Sequence, residues 1–440
     1  MSKHNPVLFD RALDIAIDKA KGVGPVFGQE IVLVRDLRGR IRVLAPESSK
    51  ALSPDQKASA EYLGQELAKS LGAYGFPPDR AVLFAGELMQ GDEVFASSDR
   101  RLIAEESGFK IWLLDRQITG QDWMRSPLQQ ETQTPRVTFF GIKGGVGRST
   151  ALVIWAWRLA GLGKKILILD LDLESPGVSS TLLPFEFLPD YGIVDWFVED
   201  GVGQAETVED LMVAASPLAG DLPGEIWIVP AFGRDTGDYL PKLARCYGAS
   251  STGGHVPWAE RLQQMVERME RKETPDIVIL DSRAGLHDIA AVTVTRMDAD
   301  AFLFAMDSMQ TWNAYAFLFR HWRHHPQVAG FRQKLQIVAG MAPETGRDSY
   351  LKGFRENSWN LFREHLYDEV VEVQVADVFS FDLDSLEAPH YPLPIFWNRA
   401  LQEFDPLRND DGIDKQIAEA AMGRFVAEAN RMVFPREENP

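Results

Sequence analysis

Ten residues, Gly141-Ile142-Lys143-Gly144-Gly145-Val146-Gly147-Arg148-Ser149-Thr150, concentrate glycines, cations and hydroxyls in one short stretch. Glycines at 144, 145 and 147 let the backbone come close to an anion and adopt positive φ. Successive N–H groups then form an anion cradle, with the positive end of a following helix behind it. The Ser149 hydroxyl is placed to ligate Mg²⁺. Two acidic loops lie downstream, Asp170-Leu171-Asp172-Leu173-Glu174 and Asp281-Ser282-Arg283-Ala284-Gly285. Alternation along an extended chain points Asp170 and Asp172 to one side. The chemistry these residue types share is the handling of phosphate and a hard divalent cation.

Each feature also has a plain reading: a ligand-free glycine turn, a solvated acidic turn, an ordinary strand-end aspartate. What sets them apart is their context. Residues 137–140 form an apolar strand pattern running into the glycine loop, and 149–162 a helix pattern leaving it. Residues 165–169 (KILIL) and 277–280 (IVIL) are apolar strands, each ending in an acidic residue. Further strand patterns lie at 226–230, 301–306 and 335–339, with an amphipathic helix at 258–271. Nearly all-apolar strands alternating with helices predict an α/β fold with a mostly parallel sheet covered on both faces. In such sheets ligands sit at the carboxyl ends of the strands, where all three loops fall.

On these residues the segment from Lys143 to Thr150 resembles the deviant Walker A box of ParA/MinD-type P-loop ATPases (SIMIBI class), whose pattern is KGGxGK[ST]T. The resemblance spans residue 137 to the C-terminal region, weakens beyond residue 335, and rests on three motifs in the family's order. It implies ATP and Mg²⁺ as ligands. Gly144, Gly145, Val146, Gly147, Arg148, Ser149 and Thr150 would hold the nucleotide. Lys143 would reach the nucleotide of the partner subunit across an ATP-gated homodimer. Asp172 would orient the attacking water and Asp170 would support the Mg²⁺ shell, with the division between those two left open. Asp281 would hold Mg²⁺ through a water, and Ser149 directly. Gly285 would give a switch-loop amide that senses the γ-phosphate. Arg148 departs from the pattern, which has lysine there. Arginine keeps the charge but is a planar fork rather than a compact ammonium. Binding therefore follows from the resemblance more directly than turnover. Gly340-Met341-Ala342-Pro343 stands where many relatives place an adenine-reading asparagine, so the base contact is unassigned and ATP over GTP rests on the family alone.

The 440 residues suggest two or three domains. Residues 126–135 (SPLQQETQTP) are polar and lack apolar periodicity, and read as a linker between a separate α+β domain, 1–125, and the P-loop domain, 136–440. The first domain combines a helix at 7–21, a hairpin over 31–34 and 41–44, and strands at 81–85 and 110–114. Ser53, Pro54 and Gln56 are expected to start a helix running to about residue 71, through a capping box. No catalytic or nucleic-acid motif is legible in it.

The net charge of −18 opposes broad attraction to DNA or anionic membrane. Residues 413–434 form an amphipathic tail whose polar face mixes both signs, which favours packing on the core over a membrane surface. His321 and His325 stand one turn apart without a carboxylate beside them, and an exposed helix end is the favoured reading over a metal site. Residues 1–6 carry no apolar leader, no run spans a bilayer, and Cys246 is the single cysteine, so a cytoplasmic location is expected.

Three functions are compatible with this pattern. The first is a nucleotide-gated homodimeric switch that positions or regulates a partner, with residues 1–125 a candidate surface for it, as in a multi-protein effector system. The second is a pseudo-ATPase scaffold in which Arg148 has abolished turnover. The third is an ATP-dependent carboxylate ligase, for which no substrate motif is visible. A nitrogenase-iron-protein role needs bridging cysteines, and a bacterial tyrosine kinase a C-terminal tyrosine cluster; this chain has neither.

Overall fold

The computed structural model describes residues 6–46, 48–130, 133–248, 256–369, 378–408 and 412–434. Residues 131–132 of the expected linker lie outside them. The chain divides into two compact units, 1–125 and 126–440.

The first unit carries a five-stranded sheet: β1 (Glu30–Arg35), β2 (Ile41–Ala45), β3 (Val82–Phe84), β4 (Arg100–Glu106) and β5 (Phe109–Asp115), in the order β3-β2-β1-β5-β4. β1 and β2 form the antiparallel hairpin, closed at Asp36, whose carboxylate accepts from the amides of Arg38 and Arg40. Helices Phe9–Val23 and Pro54–Leu71 pack their apolar stripes on one face, around Leu33, Val43 and Ile111. The second helix starts with the capping box: the Gln56 amide donates to Ser53 Oγ at 3.2 Å and the Ser53 amide to Gln56 Oε1 at 2.9 Å. β4 has no counterpart in the sequence reading. Its residues, RRLIAEE, are mostly polar, as an edge strand tolerates, and so lack the apolar alternation that announces a strand.

The second unit carries eight strands: β6 (Arg136–Gly141), β7 (Lys165–Asp170), β8 (Ala214–Ala215), β9 (Glu225–Val229), β10 (Ile277–Asp281), β11 (Asp300–Ala305), β12 (Leu335–Ala342) and β13 (Leu393–Phe396). Their order is β13-β12-β11-β6-β10-β7-β9-β8. Every neighbouring pair is parallel except β8 with β9. β13 contains Pro394, which an edge strand accommodates and which hides it in the sequence. Residues 126–130 are bonded into this unit: the Leu128 amide donates to Arg296 O at 2.8 Å and Gln263 to Gln129 O.

Two cores cover the sheet. Alternate residues such as Phe139, Ile168, Ile279 and Phe304 face helices Arg148–Gly161 and Lys415–Val433. Their neighbours Leu167, Leu169, Val278 and Leu280 face helices Ile193–Gly201 and Trp258–Glu273. The C-terminal helix is therefore part of the fold. Its fully buried Phe425 lies 5.4 Å from Phe302, 6.1 Å from Phe139 and 6.4 Å from Trp155, ring centre to ring centre. Trp155 Nε1 donates to Asn430 Oδ1 of the same helix at 2.8 Å. Phe425→Ala should cost about 3–5 kcal/mol of stability, read as a lower denaturant midpoint for the unit.

Candidate nucleotide site

The sheet order decides what meets here. β10 lies between β6 and β7, so the loops leaving these three strands emerge side by side at their carboxyl ends. In register, Asp281 pairs with Asp170 on one side and Phe139 on the other. The Leu171 amide donates to Asp281 O at 3.0 Å and the Ser282 amide to Phe139 O at 3.1 Å, lacing the loop bases together.

The glycine loop leaves β6 and ends at Gly147, which caps the helix Arg148–Gly161. Gly145 and Gly147 take φ of 73° and 81°, a conformation glycine adopts without strain. Gly144 does not need that freedom. A Cβ at Gly144 or Gly145 would meet nothing within 4 Å, so the loop borders open space. The loop rests on β12: a Cβ at Gly340 would stand 2.3 Å from Val146 O, and Met341 Sδ would stand 3.4 Å from one at Gly147. Met341 itself has φ of 53°, where the β12–β13 register shifts.

Arg148 points into the acids. Its guanidinium lies 2.9 Å from Asp281 Oδ1 through Nε and 3.3 Å from Asp172 Oδ2 through a terminal nitrogen. The contact with Asp281 is close but misaligned, since Nε and Asp281 Oδ1 have no hydrogen-bond partner and both are buried. Ser149 Oγ donates to the other oxygen, Asp281 Oδ2, at 3.4 Å. Asp170 is fully buried and accepts from Ser179 Oγ at 2.6 Å and from the Ser179 amide at 3.0 Å. The Asp172 amide also donates to Asp170, at 3.3 Å. Lys143 turns away from the acids, donating to Gln310 Oε1 at 2.6 Å. The Gly285 amide donates to Gly141 O at 3.0 Å, with φ of 90° at Gly285. Thr150 lies in the first turn of the helix, half-buried.

Three residues that no motif in the sequence marks join the cluster. Glu174 accepts from Tyr247 OH at 2.6 Å and pairs with Arg283 at 2.5 Å. Both lie inside the acidic loops, but only the fold puts them in contact. Gln310 comes from the first turn of the helix Met309–Trp322 that follows β11, and nothing in its sequence marks it.

The electrostatics follow from burial. Burial pushes Asp170 up to about 7, helped by the Asp281 carboxylate and resisted by the Ser179 bonds. Burial also raises Asp281 and Asp172, with Arg148 opposing in both. For Arg148, burial acts against its charge, but Asp281 and Asp172 outweigh it and hold the guanidinium above its ordinary value. Among the described residues, no cluster of three or more His, Cys, Asp or Glu forms a ready-made metal cage. The donors present are a hydroxyl and carboxylate oxygens. Mg²⁺ suits such a set, being held by one or two protein oxygens together with water and phosphate rather than by an all-protein cage.

No family model and no curated protein matches the sequence. Similarity appears among solved structures. The ParA of pnob8 shares 16% identity over 69% of this chain and 91% of that one, with a TM-score of 0.40. A ParA family ATPase from Chlorobium tepidum shares 15% identity over 52% and 80%, with a TM-score of 0.37. Cobyrinic acid a,c-diamide synthase from Mycobacterium smegmatis, with a bound ATP analogue and magnesium, shares 16% identity over 49% and 79%, with a TM-score of 0.35. The chain is similar to ParA-type ATPases. Among the described residues, no helix is long and apolar enough to cross a membrane.

Asp170 gives the site a pH signature. Its carboxyl holds a proton more tightly in the native state, at about 7, than in the unfolded chain, at about 3.9. Ionising it therefore costs the native state, and its contribution to stability falls as pH rises from about 4 to about 7. Asp170→Asn should raise the melting temperature of the nucleotide-free protein at about pH 7.5, with the gap closing toward about pH 4. Melting scans of both proteins across that range check it.

Proposed function

We propose that this chain binds ATP with Mg²⁺ at the glycine loop and acts as a ParA/MinD-type ATPase, a nucleotide-gated homodimeric switch that positions or regulates a partner. The observation that carries the reading is the insertion of β10 between β6 and β7. It sets the glycine loop, a hydroxyl and three aspartates around one buried guanidinium.

The residues fit the ligands. Backbone amides from Gly144 to Thr150 face the end of a helix dipole, which suits phosphate oxygens. The open space above Gly144 and Gly145 leaves room for them. Asp281 Oδ1, buried and paired with Arg148 without an aligned hydrogen bond, is an acceptor open to a better-placed donor or cation. Ser149 Oγ and Asp281 would hold Mg²⁺, with Asp170 in the shell behind. Bound there, Mg²⁺ would neutralise charge on the phosphate oxygens. Asp172, partly exposed at the mouth of the site, would accept a proton from the attacking water. For Arg148 to reach phosphate it must loosen its hold on Asp172 and Asp281. That requirement also favours the second reading, a scaffold that binds nucleotide but turns it over little.

Lys143 supports the dimer. Its ammonium leaves its own loop for the exposed Gln310 side chain, as a residue acting on a neighbouring subunit would. An unidentified protein partner, bound through residues 1–125, and a cytoplasmic setting complete the proposal. The acidic charge disfavours DNA and the packed C-terminal helix disfavours membrane attachment. Light scattering should show the mass doubling with Mg²⁺ and a slowly hydrolysed ATP analogue but not with ADP, and Lys143→Ala should stay monomeric in both. A mass indifferent to nucleotide sinks the gated dimer.

A further inference from the structure

Arg283 is a second guanidinium in the site, and its position follows from the chain just before it. Ser282 turns inward, fully buried, with its hydroxyl 2.8 Å from Thr293 Oγ1. Alternation then returns Arg283 to the side of Asp281. There it lowers the proton affinity of Asp172, so it stands within electrostatic reach of the acid at the mouth of the site.

Arg283 is held by Glu174, 2.5 Å from its Oε1. Glu174 is itself anchored: Tyr247 OH donates to the same oxygen at 2.6 Å, and His287 Nε2 lies 3.8 Å away. One carboxylate thus ties the loop after β7 to both ends of the 283–287 segment. That segment has room to move. Gly285 has φ of 90° with open space around it, and Leu286 next to it is 54% exposed. Arg283 is itself about one-third exposed, so its pairing with Glu174 is partly solvated and cheap to exchange.

Charge balance says what it would exchange for. Asp172, Glu174 and Asp281 face two guanidinium groups, Arg148 and Arg283, with Asp170 held by Ser179 behind them. A nucleoside triphosphate adds negative charge, and Arg148 alone must already serve two acids. We infer that Arg283 is a phosphate-contacting residue that leaves Glu174 for the terminal phosphate of a bound nucleoside triphosphate, and that Glu174 is the positioning residue that holds it back otherwise. This rests on the P-loop reading above. A guanidinium bonded to phosphate is among the stronger charge-assisted contacts. A diphosphate lacks the group, so Arg283 discriminates between the two nucleotides.

The test is a pair of affinities on the full-length chain with Mg²⁺, measured by calorimetry for ADP and for a slowly hydrolysed ATP analogue. Arg283→Ala should weaken analogue binding by about tenfold or more, with ADP affinity unchanged; unchanged ADP affinity also shows that the variant is folded. Adding free guanidinium to that variant should restore part of the loss, which a purely structural role would not allow. Glu174→Gln should shift the analogue-to-ADP ratio the opposite way, since it frees Arg283 while keeping the bond from Tyr247. An Arg283→Ala protein with normal ADP affinity and an unaltered ratio overturns the inference. Failure of the wild-type chain to bind ADP or the analogue would instead overturn the P-loop reading.

Discussion

Parallel pairing of β10 with both β6 and β7 forces a charge problem that organises the second unit. The register puts Asp281 opposite Asp170, and burial leaves neither carboxylate enough water. Two such groups cannot both ionise cheaply at close range without a cation. Asp170 is satisfied by Ser179, and Asp281 leans on Arg148 and Ser149. The guanidinium thus fills the electrostatic role that a metal or a ligand-bound lysine would share. It fills it imperfectly, because a planar fork aligned on Asp172 cannot also align Nε on Asp281.

That imperfection has a use. A fully satisfied buried network resists change, whereas one with an unpaired donor and acceptor has a better-bonded alternative available. The site is poised in this sense, while the structure beneath it is closely packed. Phe139, Trp155, Phe302 and Phe425 stack beneath the glycine loop, edge to face or tilted. Gly340 lets β12 press directly on Val146. By contrast, the space around Gly285 is open.

Much of this was legible in the sequence, and the reasons are local. KILIL and IVIL are strands buried on both faces, so apart from Lys165 at the start of the first every residue is apolar and the pattern is hard to miss. The Ser53–Gln56 capping box is written in four residues and closed as expected. The glycine loop declared itself by spacing. β4 and β13 did not, because edge strands need no apolar alternation and accept proline. The pairing of Glu174 with Arg283 lay in two segments more than a hundred residues apart, and nothing short of the strand order brings them together. The same holds for Lys143 and Gln310: the lysine was conspicuous, its partner was not.

The substitution at 148 deserves to be weighed against its neighbours rather than alone. A lysine there would present one compact charge to two carboxylates and would surrender it to phosphate readily. Arginine spreads its charge over a fork that is more weakly hydrated and better suited to burial. It therefore keeps Asp172 and Asp281 neutralised in the nucleotide-free state, where a lysine would leave more of the repulsion unrelieved. On the proposed reading the cost would be a slower exchange with phosphate. A second guanidinium at Arg283, held by the better-solvated Glu174, would offset that cost by moving first. On the proposed reading the departure from the lysine pattern and the second arginine belong together: the buried cation maintains the site, and the partly exposed one would answer the ligand.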